Sequence, residues 1–313
     1  MNNSNKKKPV QLLKVSEDMV DRRLDNFLIG ELKSLPRSRI YRMIRSGEVR
    51  VNKGRAKPSY RLLEGDQIRV PPYIDTSEKG QKRLFASQRD LIINQIVYED
   101  DYLILFNKPS GMAVHGGSGI NLGVIEMLRI ARPENRFLEL AHRLDRETSG
   151  CLLIVKKRSA LRKLHEQFRE GTVHKSYIAL LHGRWEHGDK TINLPLKVTH
   201  RKNGERFVIV SDSSGSKSAL THFFLQQNFS EYCLMNIVIE TGRTHQIRVH
   251  AAEINYPIVS DERYAPNLKS PVGLRRLFLH AAELKIQHPE KEKHFDFSIP
   301  LSRELKSVLK QLK

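Results

Sequence analysis

The chain has 313 residues, 39% of them hydrophobic, enough for one large core and a small satellite domain. Lys and Arg number 54 against 35 Asp and Glu, a formal net charge of +19, so a polyanion is the expected partner and nucleic acid its first candidate. No apolar run is long enough to span a bilayer and no secretory core lies near the start, so a cytoplasmic protein is expected, neither membrane-bound nor exported.

The charge is uneven. Residues 1–90 hold 21 Lys+Arg against 11 Asp+Glu, a net of +10 in under a third of the chain. Residues 1–20 read as a basic tail opening with Lys6-Lys7-Lys8. Arg39, Arg42 and Arg45 recur every third residue, which places them on one side of a helix, while Ile40 and Ile44 lie on another and can dock on a core. Ser46-Gly47 stops that helix, Glu48–Asn52 reads as a strand, Lys53-Gly54 as a tight turn, and Gln67–Val70 as a second strand. From Arg23-Leu24-Asp25 to Val70 this wording resembles the small alpha-L RNA-binding domain first seen in a small-subunit ribosomal protein. RNA contact is therefore expected from Arg39, Arg42, Arg45 and Lys53. Pro71-Pro72 closes this domain, set at residues 21–72, and the polar stretch 73–90 reads as a linker.

The larger domain spans residues 91–313. Strands are expected at Gln95–Val97, Tyr102–Phe106, Leu152–Val155 and Tyr177–Leu181, with a helix from Ala160 to Glu170 that buries Leu161, Leu164 and Phe168 and ends at Gly171. Further strands are expected at Phe207–Val210, Leu220–Gln226, Cys233–Glu240, Leu277–Ile286 and Phe295–Ile299. With few helices between them, an α+β fold results: a mixed, mostly antiparallel sheet with flanking helices, beside a small N-terminal α/β domain. Cys151 and Cys233 both fall in apolar strand-like runs and read as reduced core residues.

Three stretches carry chemistry. Ala141-His142-Arg143-Leu144-Asp145-Arg146-Glu147-Thr148-Ser149-Gly150 sets one carboxylate between two arginines, just before the buried run Cys151–Val155. Nearby guanidinium groups favour the ionised form of such an acid. Lys175-Ser176-Tyr177 opens a strand. Thr241-Gly242-Arg243-Thr244-His245-Gln246-Ile247-Arg248-Val249-His250 follows another through a glycine turn into a helix ending near Ile254. His245 and His250 are five apart, a poor zinc spacing on a helix, and no metal-binding motif occurs, so no metal is expected.

These stretches, in this order, resemble the active-site motifs of the pseudouridine synthases that act on ribosomal and transfer RNA. Asn107-Lys108-Pro109-Ser110-Gly111 to Gly117 matches that family's early glycine loop, and Leu277-Phe278-Leu279-His280-Ala281 its late strand. The resemblance implies a cofactor-free isomerisation of uridine on a flipped base. Asp145 is then the essential aspartate. Tyr177 is the ring against the uracil and the candidate acceptor of the C5 proton. Arg248 is the cation paired with Asp145, with Arg243 as runner-up. Leu279 lines the uracil slot, His142 and Arg143 contact the substrate, and Arg143 is a candidate to enter the RNA helix in place of the flipped base. The implied substrate is large-subunit (23S) ribosomal RNA or its precursor, and the chain is expected to act as a monomer. Transfer RNA or another ribosomal RNA site would demand the same chemistry. A non-catalytic ribosome-assembly clamp would need the basic module but has no use for Asp145, Tyr177 and Arg248.

Overall fold

The computed structural model describes residues 6–32, 35–75, 84–116, 122–200 and 206–312. Residues 1–5 of the expected tail, 76–83 of the expected linker and Gly117 of the glycine loop lie outside them. The chain divides into two units, Met1–Arg83 and Leu84–Lys313.

In the first unit β1 (Lys6–Lys8) pairs with β5 (Tyr73–Asp75), and β2 (Gln11–Lys14), β4 (Gln67–Val70) and β3 (Arg50–Val51) form an antiparallel sheet in that order. Helices α1 (Leu24–Glu31) and α2 (Arg37–Arg45) share one core with it, to which they give Leu24, Phe27, Leu28, Ile40, Met43 and Ile44. Asp25 is buried yet satisfied. It accepts bonds from Arg23 at 2.7 and 3.1 Å, the Asn26 amide at 2.8 Å and the Tyr41 hydroxyl at 3.0 Å, and so ties α1 to α2. The turn after β3 is set by Asn52 and Lys53, both at positive φ, the pattern of a two-residue hairpin loop. The expected tail thus carries two strands from Lys6 onward. Each is too short, and too poor in apolar residues, to show as a period-two pattern.

The second unit opens with α3 (Ala86–Ile93), which begins inside the stretch read as linker and runs past its expected end at residue 90. Only Ile92 of this helix is buried, which leaves no apolar stripe to read, and its start is held by Gln88 accepting from the Phe85 amide. Next come β6 (Ile96–Glu99), β7 (Leu103–Lys108), α4 (Val124–Ala131), β8 (Glu139–Leu140), β9 (Ser149–Val155), α5 (Arg158–Glu170) and β10 (His174–His182). The second half holds β11 (Lys190–Asn193), β12 (Leu196–His200), β13 (Arg206–Val210), β14 (Leu220–Asn228), β15 (Tyr232–Ile239), α6 (Gln246–Glu253), β16 (Leu279–Gln287), β17 (His294–Ser298) and α7 (Arg303–Gln311).

Ten of these strands form one sheet, with the path β11-β14-β15-β10-β16-β9-β7-β6, β17 beside β16 and β8 beside β9. All its pairings are antiparallel except β16 with β9, where His280 aligns with Ser149 and Ala281 with Gly150. The mostly antiparallel, mixed sheet is as expected from the sequence. Gly150 is what lets this seam close. Its φ is +106°, and a Cβ there would lie 2.1 Å from the Ala281 carbonyl oxygen. The glycine after Asp145 is thus a backbone requirement of the seam.

Candidate active site

Three strands and a helix converge where β9, β10 and β16 meet. Asp145 sits on the turn leading into β9, Tyr177 on β10, Leu279 on β16, and Arg243, His245 and Arg248 on the turn and first residues of α6. With Arg143 at the mouth they line one cleft, whose apolar walls are Leu144, Ile239, Ile247 and Leu279. The sequence positions of these residues are far apart, and the sheet brings them together here.

The Asp145 turn is clamped from behind. Lys108 is fully buried, and its Nζ donates to the carbonyls of Pro109, Met112 and Arg146 at 2.8 to 2.9 Å. Burial pulls its pKa down to about 7, against the charges of Glu147 and Asp145 that favour the cation. The Gly111 amide donates to the same Arg146 carbonyl, and the Ser110 hydroxyl to that of Glu147. The glycine loop therefore fixes the backbone on which Asp145 stands. Neither flanking arginine holds the Asp145 carboxylate. Arg146 turns to Glu147 at 3.5 Å and the Gly111 carbonyl at 2.9 Å, and Arg143 stands at the rim.

Tyr177 follows a β-bulge between Ser176 and Tyr177, a device that re-aims a side chain next to a site. Burial, with the charge of Asp145 second, raises its phenol pKa well above the usual value. Lys175 donates to the Glu240 carbonyl at 3.0 Å and so ties β10 to the end of β15. The α6 turn is stapled by buried Gln246. Its Oε1 accepts from the Arg243 amide and the Thr241 hydroxyl, and its Nε2 donates to the Leu220 carbonyl and Thr221 hydroxyl.

Two expectations are corrected by this geometry. Arg248 is not bonded to Asp145. Its fork closes on Asp261, Nε to Oδ2 at 2.7 Å and Nη2 to Oδ1 at 2.6 Å, with both side chains buried. Burial opposes its charge, but the bonds to Asp261 and the fields of Asp261 and Asp145 raise its pKa above the ordinary value. Asp261 meets the fork with both oxygens, while Asp145 acts on the cation through space. The runner-up, Arg243, donates to the Ser218 carbonyl at 2.9 Å and also makes no bond to Asp145. His142 is the second correction. It lies behind the cleft and not in it: Nε2 accepts from the Leu153 amide at 3.1 Å, and the ring packs on Phe168 at 5.3 Å. Burial lowers its pKa to about 4, so it is a neutral acceptor serving β9.

Three residues of the site escape sequence reasoning: Asp261, Tyr264 and Lys108. A buried Asp thirteen residues after Arg248 has no local signature. Lys108 stands in the matched loop, but its burial shows only in three dimensions. A second cleft, of about 660 Å³, is lined by Ser149, Arg275, Arg276, His280 and Arg303 among others. Its buried polar atoms are already engaged, Arg276 Nη2 donating to Ser149 Oγ at 2.6 Å and Ser149 Oγ bonding His280 at 2.9 Å. The Asp145 cleft instead keeps an ionisable carboxylate, a phenol and apolar walls together, and is the better place for a reaction. Among the described residues no group of three His, Cys, Asp or Glu is placed to hold a metal.

In the first unit Arg42, Arg45 and Lys53 are exposed, Arg39 reaches Glu48 at 3.4 Å, and Arg45 lies over the Tyr41 ring. The buried residues of α2 are Ile40, Met43 and Ile44, so its basic and docking faces are separate.

Comparison with known proteins agrees with this architecture. The RNA pseudouridylate synthase family profile matches residues 102–253, and the S4 domain profile matches residues 22–68. A fold of the same kind occurs in human RNA pseudouridylate synthase domain containing 4, with a TM-score of 0.60 over 74% of this chain and 99% of that one at 23% identity. The chain belongs to the pseudouridine synthase family and carries an S4 domain at its N-terminal end. It is 47% identical to the ribosomal large subunit pseudouridine synthase C of Haemophilus influenzae, over 97% of this chain and 95% of that protein. It is 45% identical to the protein of the same name from Escherichia coli, over 97% of each.

Proposed function

We propose that this chain converts specific uridines of large-subunit ribosomal RNA to pseudouridine, with Asp145 as the essential residue. The observation that carries the reading is a carboxylate without a hydrogen bond among the described residues, set in a cleft with Tyr177, Arg248 and the apolar walls Leu144, Ile239, Ile247 and Leu279. A nucleic-acid pocket repels carboxylates unless one is needed, and here it is needed beside the sugar or base. The reaction breaks the C1′–N1 bond, turns the uracil, forms C1′–C5, takes a proton from C5 and returns one to N1. It is redox-neutral.

The target nucleotide leaves its helix and enters the cleft, with Leu279 and the Tyr177 ring against the base and Arg143 filling the gap left behind. Asp145 supplies negative charge where the sugar becomes electron-poor. Arg248, anchored on Asp261, supplies a fixed positive charge that acts on Asp145 through space. With its pKa raised, Tyr177 is a phenol and not a phenolate at neutral pH. It therefore receives the C5 proton only in concert with passing on its own. The S4 unit adds phosphate contacts through Arg39, Arg42, Arg45 and Lys53, which position RNA without reading sequence. The chain acts as a monomer in the cytoplasm; no described helix is long and apolar enough to cross a membrane.

Large-subunit RNA is favoured over transfer RNA by the near-full-length similarity to proteins named for it. The test is to map pseudouridines in ribosomal and transfer RNA from cells lacking the protein, then restore wild type or Asp145→Asn. Sites missing from large-subunit RNA and regained only with wild type support the reading. A deficit confined to transfer RNA would overturn the substrate assignment.

A further inference from the structure

His245 is placed unlike any other residue of the cleft. It begins α6 at φ +56°, a left-handed conformation uncommon outside glycine, so the backbone is held off its easy path to set this side chain. One ring nitrogen is anchored: Nδ1 lies 2.8 Å from the Tyr264 hydroxyl. That hydroxyl accepts from the Val208 amide at 3.3 Å, and among the described residues its own proton has no acceptor but His245 Nδ1. The phenol donates to Nδ1, and the proton of a neutral imidazole then sits on Nε2. Burial lowers the His245 pKa to about 4, which agrees with a neutral ring. Tyr264 is itself braced, its ring lying over the Arg248 guanidinium at 5.2 Å and against Phe207 at 4.8 Å. Nε2 has no hydrogen bond among the described residues and is not among the buried polar atoms left without a partner; His245 lines the cleft with Asp145, whose charge acts on the ring.

A neutral donor with a fixed tautomer, open to a pocket that holds a carboxylate, has a definite use. A cation in its place would compete to pair with Asp145; a neutral N–H leaves the carboxylate free for the substrate. Uracil offers two carbonyl oxygens at its rim. When the C1′–N1 bond breaks, its electron pair leaves with the base and spreads from N1 onto O2 and O4. A donor aimed at one of those oxygens binds more strongly as the bond breaks, which is the condition for lowering a barrier.

We propose that His245 Nε2–H donates a hydrogen bond to a carbonyl oxygen of the target uracil and holds the base as it is released. This rests on the reading of the cleft as the uridine pocket. Tyr264 is then a positioning residue that fixes the tautomer.

The test uses single-turnover rates at saturating full-length enzyme, on a stem-loop whose target is uridine, 2-thiouridine or 4-thiouridine. A thiocarbonyl is a weak acceptor, so substrate and protein changes form a double-mutant cycle. Wild type is compared with His245→Asn, which tolerates the left-handed backbone but is too short to reach, and with His245→Gln, which can restore a donor. Urea unfolding of each variant checks the fold. We expect His245→Asn to be about tenfold slower on uridine, His245→Gln to recover part of the rate, and the defect to vanish on one of the two thio substrates, which names the oxygen. An equal defect on all three substrates, or no defect in a folded His245→Asn, overturns the inference. Asp145→Asn is run beside them. If it turns over, the pocket reading itself fails; if it is inactive while the cycle shows no coupling, only the role of His245 fails.

Discussion

Asp261 is the residue on which the electrostatics of the cleft turn. It holds both arms of Arg248, and its oxygens also accept the amides of Arg263 and Tyr264 at 3.0 and 3.1 Å. Removing one partner of a buried pair leaves the other uncompensated, typically at a cost of about 3–5 kcal/mol. Asp261→Ala should therefore lower the unfolding midpoint clearly and slow turnover, although the carboxylate never meets substrate. Arg248→Lys should recover less than half of the activity that Arg248→Ala forfeits, because a point charge cannot fill a two-pronged site. Full activity in a stable Arg248→Ala would show that Asp145 needs no cation. At this scale, the sequence points to residues that line one cleft but not to the partners they bond. Asp145, Tyr177, Arg248 and Leu279 do meet, because each stands in a stretch whose wording is distinctive. The pairing of Arg248 is misread, and His142 is misplaced, since neighbours in a motif need not share a pocket. His142 directly precedes Arg143 in the chain, yet it packs behind the turn while Arg143 lines the cleft.

Elements are legible in proportion to their apolar content. Strands β9, β10 and β15 and helix α5 carry strong runs, and α5 ends on Gly171 at φ +75° as the sequence suggests. The strand-rich reading leaves out α4 and α7. In α4, Val124, Ile125, Met127, Leu128 and Ala131 are all buried at helical spacing, a stripe present in the sequence that the strand-rich reading passes over. In α7 the signal is short, Ser302 capping the Leu305 amide ahead of the buried pair Leu305 and Val308. The parallel seam is invisible in sequence, yet Gly150 marks it. Gly150→Ala should separate β9 from β16, since the obstacle is a backbone oxygen with nowhere to go. A destabilisation of at least about 2 kcal/mol in urea unfolding is expected from strain alone, with activity falling alongside because the Asp145 turn leads into β9 and Leu279 opens β16. A stable, active Gly150→Ala would refute the seam. For α2 the expectation concerns binding. Changing Arg39, Arg42 and Arg45 together to Gln should leave the fold intact and weaken RNA binding. It should also flatten the salt dependence of log K by about 0.7–0.9 for each phosphate that is no longer neutralised. An unchanged slope would mean that this helix does not touch RNA.

Across the whole molecule, the large unit carries a set of buried and half-buried histidines with lowered pKa on and around its ten-stranded sheet. His142 and His245 are lowered to about 4, and His182, His250 and His280 are lowered too, in each case chiefly by burial. In the unfolded chain they regain a value near 6.5. As pH falls from about 6.5 towards 4 the unfolded state binds protons that the folded state refuses, so stability is intact above that window and declines within it, by about 1.4 kcal/mol for each unit of depression. The unfolding midpoint of the large unit should drop steadily between about pH 6.5 and 5; a flat profile would contradict the buried, neutral assignment. The proposed function, in contrast, rests on a single point of the sheet. The most direct measurement is the single-turnover conversion of uridine to pseudouridine in a large-subunit RNA fragment by wild type and Asp145→Asn at saturating enzyme, with RNA affinity measured alongside. The expected result is near-equal affinity with the rate reduced by more than about a thousandfold. A variant that binds equally well and still forms pseudouridine at close to the wild-type rate would contradict the account.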